Sequence, residues 1–154
     1  MPAEALSGAP IRPSLTLKRR LKARPEKVWA AWTDPAQIVM WFGPGNCDYL
    51  AHEIDLRVGG RFRVAFRTDI DGKPDETHEV GGTYREIVEN QKLVFTWNWV
   101  TTPERVSQVT VTLKPDADGT LLTLHHEQLW DEASKTGHTR GWTASLNKLE
   151  TLYA

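Results

Sequence analysis

The sequence predicts an α+β domain: a curved antiparallel sheet of six to seven strands, two short helices near the N-terminus and one long C-terminal helix. Three observations carry this. Residues 15–22 and 61–68 alternate in polarity with the period of a half-buried strand. Gly-rich and Asp-rich turn signals separate successive strand-like runs across the middle of the chain. The stretch Asp131–Tyr153 carries its apolar residues at helical spacing. A run of antiparallel strands with the helices kept apart from it is an α+β pattern.

In the first strand Leu15, Leu17 and Leu21 oppose Thr16, Lys18, Arg20 and Lys22, with Arg19 the polar exception on the apolar side. Its basic run reads as the wet face of an edge strand, where charge blocks unwanted pairing. Pro25 and Glu26 suit the first turn of a helix whose inner face holds Val28, Trp29 and Trp32. Asp34 caps a second short helix that starts at Pro35. Its inner face is Ile38, Trp41 and Phe42, and Gly43-Pro44-Gly45 ends it.

Strands follow over 49–56, 61–68, 78–88, 92–100, 105–113 and 120–127. Turns are expected at Val58-Gly59-Gly60, Asp71-Gly72-Lys73-Pro74 and Asp116-Ala117-Asp118-Gly119. Gly81-Gly82 marks a bulge or a close backbone approach, and both glycine pairs serve to curve the sheet. In the last helix His138, Trp142, Leu146 and Leu149 share a face. Gly141 interrupts that face at a cost of about 1 kcal/mol against Ala, so a packing reason is expected there.

The 154 residues suit one domain: residues 14–154, after a flexible lead-in at 1–13 that contains Pro2, Pro10 and Pro13. A formal net charge of −1 argues against a nucleic-acid partner, which calls for clustered excess Lys and Arg. No apolar run approaches the ~20 residues of a membrane span. The single cysteine, Cys47, excludes an internal disulfide and fits a reducing compartment, so the cytoplasm is the expected location.

The segment Arg24-Pro25-Glu26-Lys27-Val28-Trp29-Ala30-Ala31-Trp32-Thr33-Asp34-Pro35 resembles the opening of the activator of heat-shock protein 90 ATPase homologue-like family, within the START/polyketide-cyclase (SRPBCC) superfamily. Further matches follow in order: Trp41-Phe42-Gly43-Pro44, Val58-Gly59-Gly60-Arg61-Phe62, Gly82-Thr83-Tyr84-Arg85-Glu86-Ile87, Leu93-Val94-Phe95-Thr96-Trp97 and Gly141-Trp142. The resemblance spans residues 15–153 and departs at Glu89-Asn90, where the family usually has a proline pair in a turn. It implies the helix-grip (START-like) fold, with a cavity between the concave sheet and the C-terminal helix. Members bind varied apolar ligands and some superfamily relatives are enzymes, so the resemblance does not fix an activity.

Seven tryptophans in so small a domain point to a bulky core or to an aromatic-lined cavity. The expected lining is Phe62, Val64, Phe66, Phe95, Trp97, Trp99, His125, His138, Trp142 and Leu146, around a small hydrophobic molecule. Trp29 and Trp32 plug one end of it. His125-His126-Glu127 invites a metal reading, but adjacent strand residues face opposite ways and no compact ligand spacing is present, so neither metal nor cofactor is expected. His52 and His78 stand isolated in strand regions. Two other readings stay open. One is an interaction module, a chaperone/ATPase co-regulator-like partner or a homodimer, using exposed aromatics near Trp41-Phe42-Gly43-Pro44. The other is a cyclase- or hydrolase-type enzyme with Glu127 or His138 as acid–base, for which no nucleophile motif is found.

Overall fold

A computed structural model describes residues 11–69 and 73–154. Most of the lead-in and the tip of the turn at Asp71-Gly72 therefore lie outside the described residues. Seven strands form one antiparallel sheet: β1 (Leu15–Leu21), β2 (Cys47–Ile54), β3 (Arg61–Thr68), β4 (His78–Val88), β5 (Lys92–Trp99), β6 (Ser107–Asp116) and β7 (Gly119–Glu127). Their order is β1-β7-β6-β5-β4-β3-β2, so β2 to β7 form a meander and β1 closes onto β7. Among the described residues there are three helices: α1 (Pro25–Thr33), α2 (Pro35–Ile38) and α3 (Glu132–Leu152). This is the helix-grip arrangement.

Local chemistry accounts for the boundaries. Pro25 opens α1, and its missing N–H is one the helix leaves unpaired anyway. Asp34 accepts the Ala36 N–H at 2.9 Å to cap α2. Asp131 accepts the Ser134 N–H at 2.9 Å to cap α3. The second helix is shorter than its apolar pattern suggests. Trp41 and Phe42 follow it in a turn, yet both are buried, so the inner face holds.

The sheet curves where two glycines let backbones touch. A Cβ at Gly82 would sit 1.8 Å from the Thr96 carbonyl oxygen, and one at Gly60 would sit 2.1 Å from that of Asp55. Register shifts between Tyr84 and Glu86 and between Tyr49 and Ala51 add bulges. Asp55 anchors the β2–β3 turn, with its side chain 2.9 Å from Arg57 Nε. Asn90 adopts φ +64° in the β4–β5 turn, a conformation that asparagine tolerates.

The core lies between the concave face and the helices. Phe62, Val64, Phe66, Leu93, Phe95, Trp97, Val109, Val111, Leu122 and Leu124 face Val28, Trp32, Trp142, Leu146 and Leu149. Arg19, the polar residue on β1's apolar side, reaches α3 instead, with Nη2 3.4 Å from Asn147 Oδ1 and Nε 3.7 Å from Glu150.

Candidate functional site

A cavity of about 300 Å³ opens between α3, the β3–β4–β5 part of the sheet and the turn after α2. Its aromatic walls are Phe42, Phe66, Trp97, Trp99 and Trp142. Trp97 and Trp99 meet edge to face at 5.6 Å, and Trp97 lies 4.9 Å from Trp142. Burial of such rings on neighbouring strands and one helix face follows from period 2 meeting period 3.6.

Of the expected lining residues, Phe66, Trp97, Trp99, His138 and Trp142 come together here. Phe62, Val64 and Phe95 are displaced deeper. They surround a separate void of about 30 Å³ with Trp32 and Ile38, screened from the main cavity by Phe42, Trp97 and Trp142. Leu146 is fully buried in the core and lines neither.

The expectation for His125 is overturned. Along β7, Leu122, Leu124 and His126 point inward, so His125 points outward, where Nδ1 lies 2.9 Å from Thr16 Oγ1 of β1. His126 takes the inner place and is fully buried. Glu127 shares the outward parity of His125, away from the cavity. The expectation of exposed aromatics at Trp41-Phe42 fails as well. Trp41 is fully buried, with its indole N–H donated to the Ala31 carbonyl at 2.9 Å, and Phe42 turns into the cavity.

Two histidines organise the polar part of the site. His138 Nε2 accepts two indole N–H groups, from Trp99 at 3.1 Å and Trp97 at 3.2 Å. That nitrogen therefore carries no proton, and Nδ1–H donates to the Ser134 carbonyl at 2.7 Å. His126 has the opposite tautomer. Its Nδ1 accepts the Trp142 N–H at 3.0 Å, and Nε2–H donates to Ser107 Oγ at 2.7 Å. The Ser107 hydroxyl in turn donates to the Trp97 carbonyl at 3.1 Å. The three site tryptophans thus end on two neutral imidazoles whose rings lie 5.0 Å apart.

Burial pushes the His126 pKa down to about 2, and the nearby His138 and His125 add to the shift. Burial lowers that of His138 too, partly offset by the bond to Ser134. Neither histidine has a free lone pair for proton abstraction, and Ser107 faces a protonated Nε2 that cannot activate it. Among the described residues, no group of three or more His, Cys, Asp or Glu side chains is placed to hold a metal ion.

Several lining residues escaped the sequence reading: Phe42, Gly43, Pro44, Thr68, His78 and, on α3, Ser134, Gly137, Gly141 and Ser145. A signal existed for each group. Thr68 shares strand parity with Phe62, Val64 and Phe66, and His78 is the cross-strand partner of Phe66. Residues 134, 137, 138, 141, 142 and 145 repeat at three- and four-residue spacing, which is one helix face. Gly43, at φ +93°, donates its N–H to Ser145 Oγ at 2.9 Å and so pins the turn after α2 to α3. A Cβ there would meet Cys47 Sγ at 2.7 Å.

No curated protein matches the chain. Solved structures do. A protein of Chromobacterium violaceum, CV1439, shares 30% identity over 91% of this chain and 96% of its own, with a TM-score of 0.78. The AHSA1 (SPO3351) protein of Silicibacter pomeroyi shares 28% over 90% and 96%, with a TM-score of 0.77. The AHSA1-like protein of Aeromonas hydrophila, at 18% identity over 90% of each chain and a TM-score of 0.75, is alike in fold. The family model described as Activator of Hsp90 ATPase homolog 1-like protein matches residues 22–154, and the chain belongs to that family.

Proposed function

We propose that this protein binds a small apolar or amphipathic molecule in the cavity between the sheet and α3. The observation that carries the reading is the cavity itself: about 300 Å³, walled by five aromatic rings, at the lower end of the roughly 300–1,000 Å³ range of small-molecule sites. The indole N–H groups that line it are already bonded to His138 and His126, so the surface offered to a guest is mainly apolar. Burial of that surface supplies the binding energy, at about 25 cal/mol per Å².

The two other readings are less well supported. The acid–base candidates His138 and Glu127 do not support an enzyme, because both ring nitrogens of His138 are engaged and Glu127 points away from the cavity. An interaction module built on Trp41 and Phe42 lacks its surface, because both side chains are buried. We place the protein in the cytoplasm on its single, half-buried cysteine. No helix among the described residues is long and apolar enough to cross a membrane.

Native mass spectrometry of freshly purified protein, set against its denatured mass, tests the reading. The expected result is a retained small molecule on a folded species. A species that stays apo, and gains no thermal stability from a panel of small apolar compounds, overturns it. The same spectra count subunits and so decide on a homodimer.

A further inference from the structure

The polar atoms around the cavity differ in how much hydrogen-bonding capacity they have left. His138 donates through Nδ1 and accepts two indoles at Nε2. Ser134 Oγ lies 3.3 Å from that Nδ1. Ser145 accepts from Gly43 N and donates to the Gly141 carbonyl at 3.0 Å. Thr68 donates to the Pro44 carbonyl. His78 differs. Its ring packs on Phe66 at 5.6 Å, and its side chain makes no hydrogen bond among the described residues. An imidazole can hydrogen-bond through either ring nitrogen, so His78 presents both nitrogens to whatever enters.

The opposite wall is unusual in another way. Gly137 and Gly141 stand one turn apart on α3, and both line the cavity. A Cβ added at either would meet nothing within 4 Å. No close approach of backbone explains them, although each costs the helix about 1 kcal/mol against Ala. What they provide is width, a bare strip of helix facing Phe66 and Trp99. Among the lining residues there is no Lys or Arg, and an ionised guest would lose its hydration without a counter-charge.

We propose that the ligand is an uncharged, flat ring molecule carrying one hydroxyl or similar small polar group, which pairs with His78 while the ring lies against the Gly137–Gly141 strip. This rests on the cavity being a ligand site. Aromatic walls reward a flat ring through offset and edge-to-face contacts. The one unspent imidazole fixes its orientation. His78 and Gly141 are the residues that set specificity, one for the polar group and one for ring size.

Equilibrium dialysis with a matched pair of compounds tests this: 2-naphthol and its near-isostere 2-methylnaphthalene. The wild-type protein is expected to bind 2-naphthol roughly three- to tenfold more tightly, the worth of one hydrogen bond. His78→Phe is expected to bring that ratio close to one and leave 2-methylnaphthalene affinity unchanged. Gly141→Leu is expected to abolish binding of both compounds, with an unchanged circular dichroism spectrum and no loss of thermal stability. Equal affinity of the wild type for the pair, or a preference that survives His78→Phe, overturns the His78 assignment and leaves the cavity reading standing. Gly141→Leu that folds and still binds overturns the strip. Failure of both compounds to bind overturns the proposal. If the native mass spectrum still shows a retained molecule, only the ligand class falls; if it shows none, the cavity reading falls as well.

Discussion

Acidification from pH 7.5 to pH 4.5 is expected to remove roughly 3 kcal/mol of folding stability through His126 alone. The ordinary pKa is 6.5, and the folded protein holds this group at about 2. Below 6.5 the unfolded chain takes up a proton that the folded chain refuses. The stability contributed by neutral His126 is therefore complete above about pH 7.5 and is lost as pH falls from 6.5 toward 2, at close to 1.36 kcal/mol per unit. The physical cause is visible: protonation at Nδ1 would set a hydrogen against the Trp142 indole N–H, in a fully buried site. Urea unfolding of the wild type and of His126→Leu, at both pH values, isolates this contribution. At pH 7.5 the variant is expected to be the less stable, because it leaves the Trp142 N–H and Ser107 Oγ without their partner, at about 1–3 kcal/mol for each such group. At pH 4.5 that gap is expected to close or reverse by roughly 3 kcal/mol. A gap that stays constant within about 0.5 kcal/mol would refute the neutral-imidazole account.

Gly141→Ala is expected to raise the midpoint of thermal unfolding by about 2–4 °C, since it regains about 1 kcal/mol of helix propensity without a clash; a scanning calorimeter reads this directly. Gly82→Ala is expected to prevent folding or to cost several kcal/mol, because its Cβ would overlap the Thr96 carbonyl, and expression as insoluble protein or a collapsed denaturation midpoint would report it. Trp99→Phe leaves His138 Nε2 with Trp97 as its remaining donor and is expected to cost about 1 kcal/mol in chemical denaturation beyond the packing loss. Arg63→Ala is expected to leave the denaturation midpoint nearly unchanged at high salt although Arg63 bonds both Glu53 and Glu79, because the group is exposed and screened; a clear loss of stability there would contradict that.

The strands and their inner faces were legible because period 2 is a direct readout of which side chains meet the core. Phe62, Val64 and Phe66 are the plain case. The choice between His125 and His126 was also legible in principle, since Leu122 and Leu124 fix the inward parity of β7. Tyrosine-, tryptophan- and histidine-rich runs hide that parity, because their side chains are amphipathic and are found on either face. The depth of the cavity was not legible. Phe62 and Phe95 share faces with Phe66 and Trp97, but only the docking height of α3 decides which pair meets open space and which meets core. Gly141 stood out as an interior helix glycine, and the sequence suggested tight packing there. The structure assigns it the opposite role, a place where nothing packs.

Apolar contacts alone would let α3 slide or rotate by a fraction of a turn over the concave sheet with little penalty, because dispersion and burial have no preferred direction. The indole–imidazole bonds remove that freedom. Trp97 and Trp99 reach across from β5 to His138 on the helix, and Trp142 reaches back from the helix to His126 on β7. Donors and acceptors run both ways across the same interface, so a shift in either direction breaks bonds at one end or the other. The helix is keyed to the sheet in register, much as a single polar pair fixes the alignment of two coiled helices. Changing the small residues on the cavity face of the helix would therefore reshape the cavity while leaving these bonds, and the frame they key, in place.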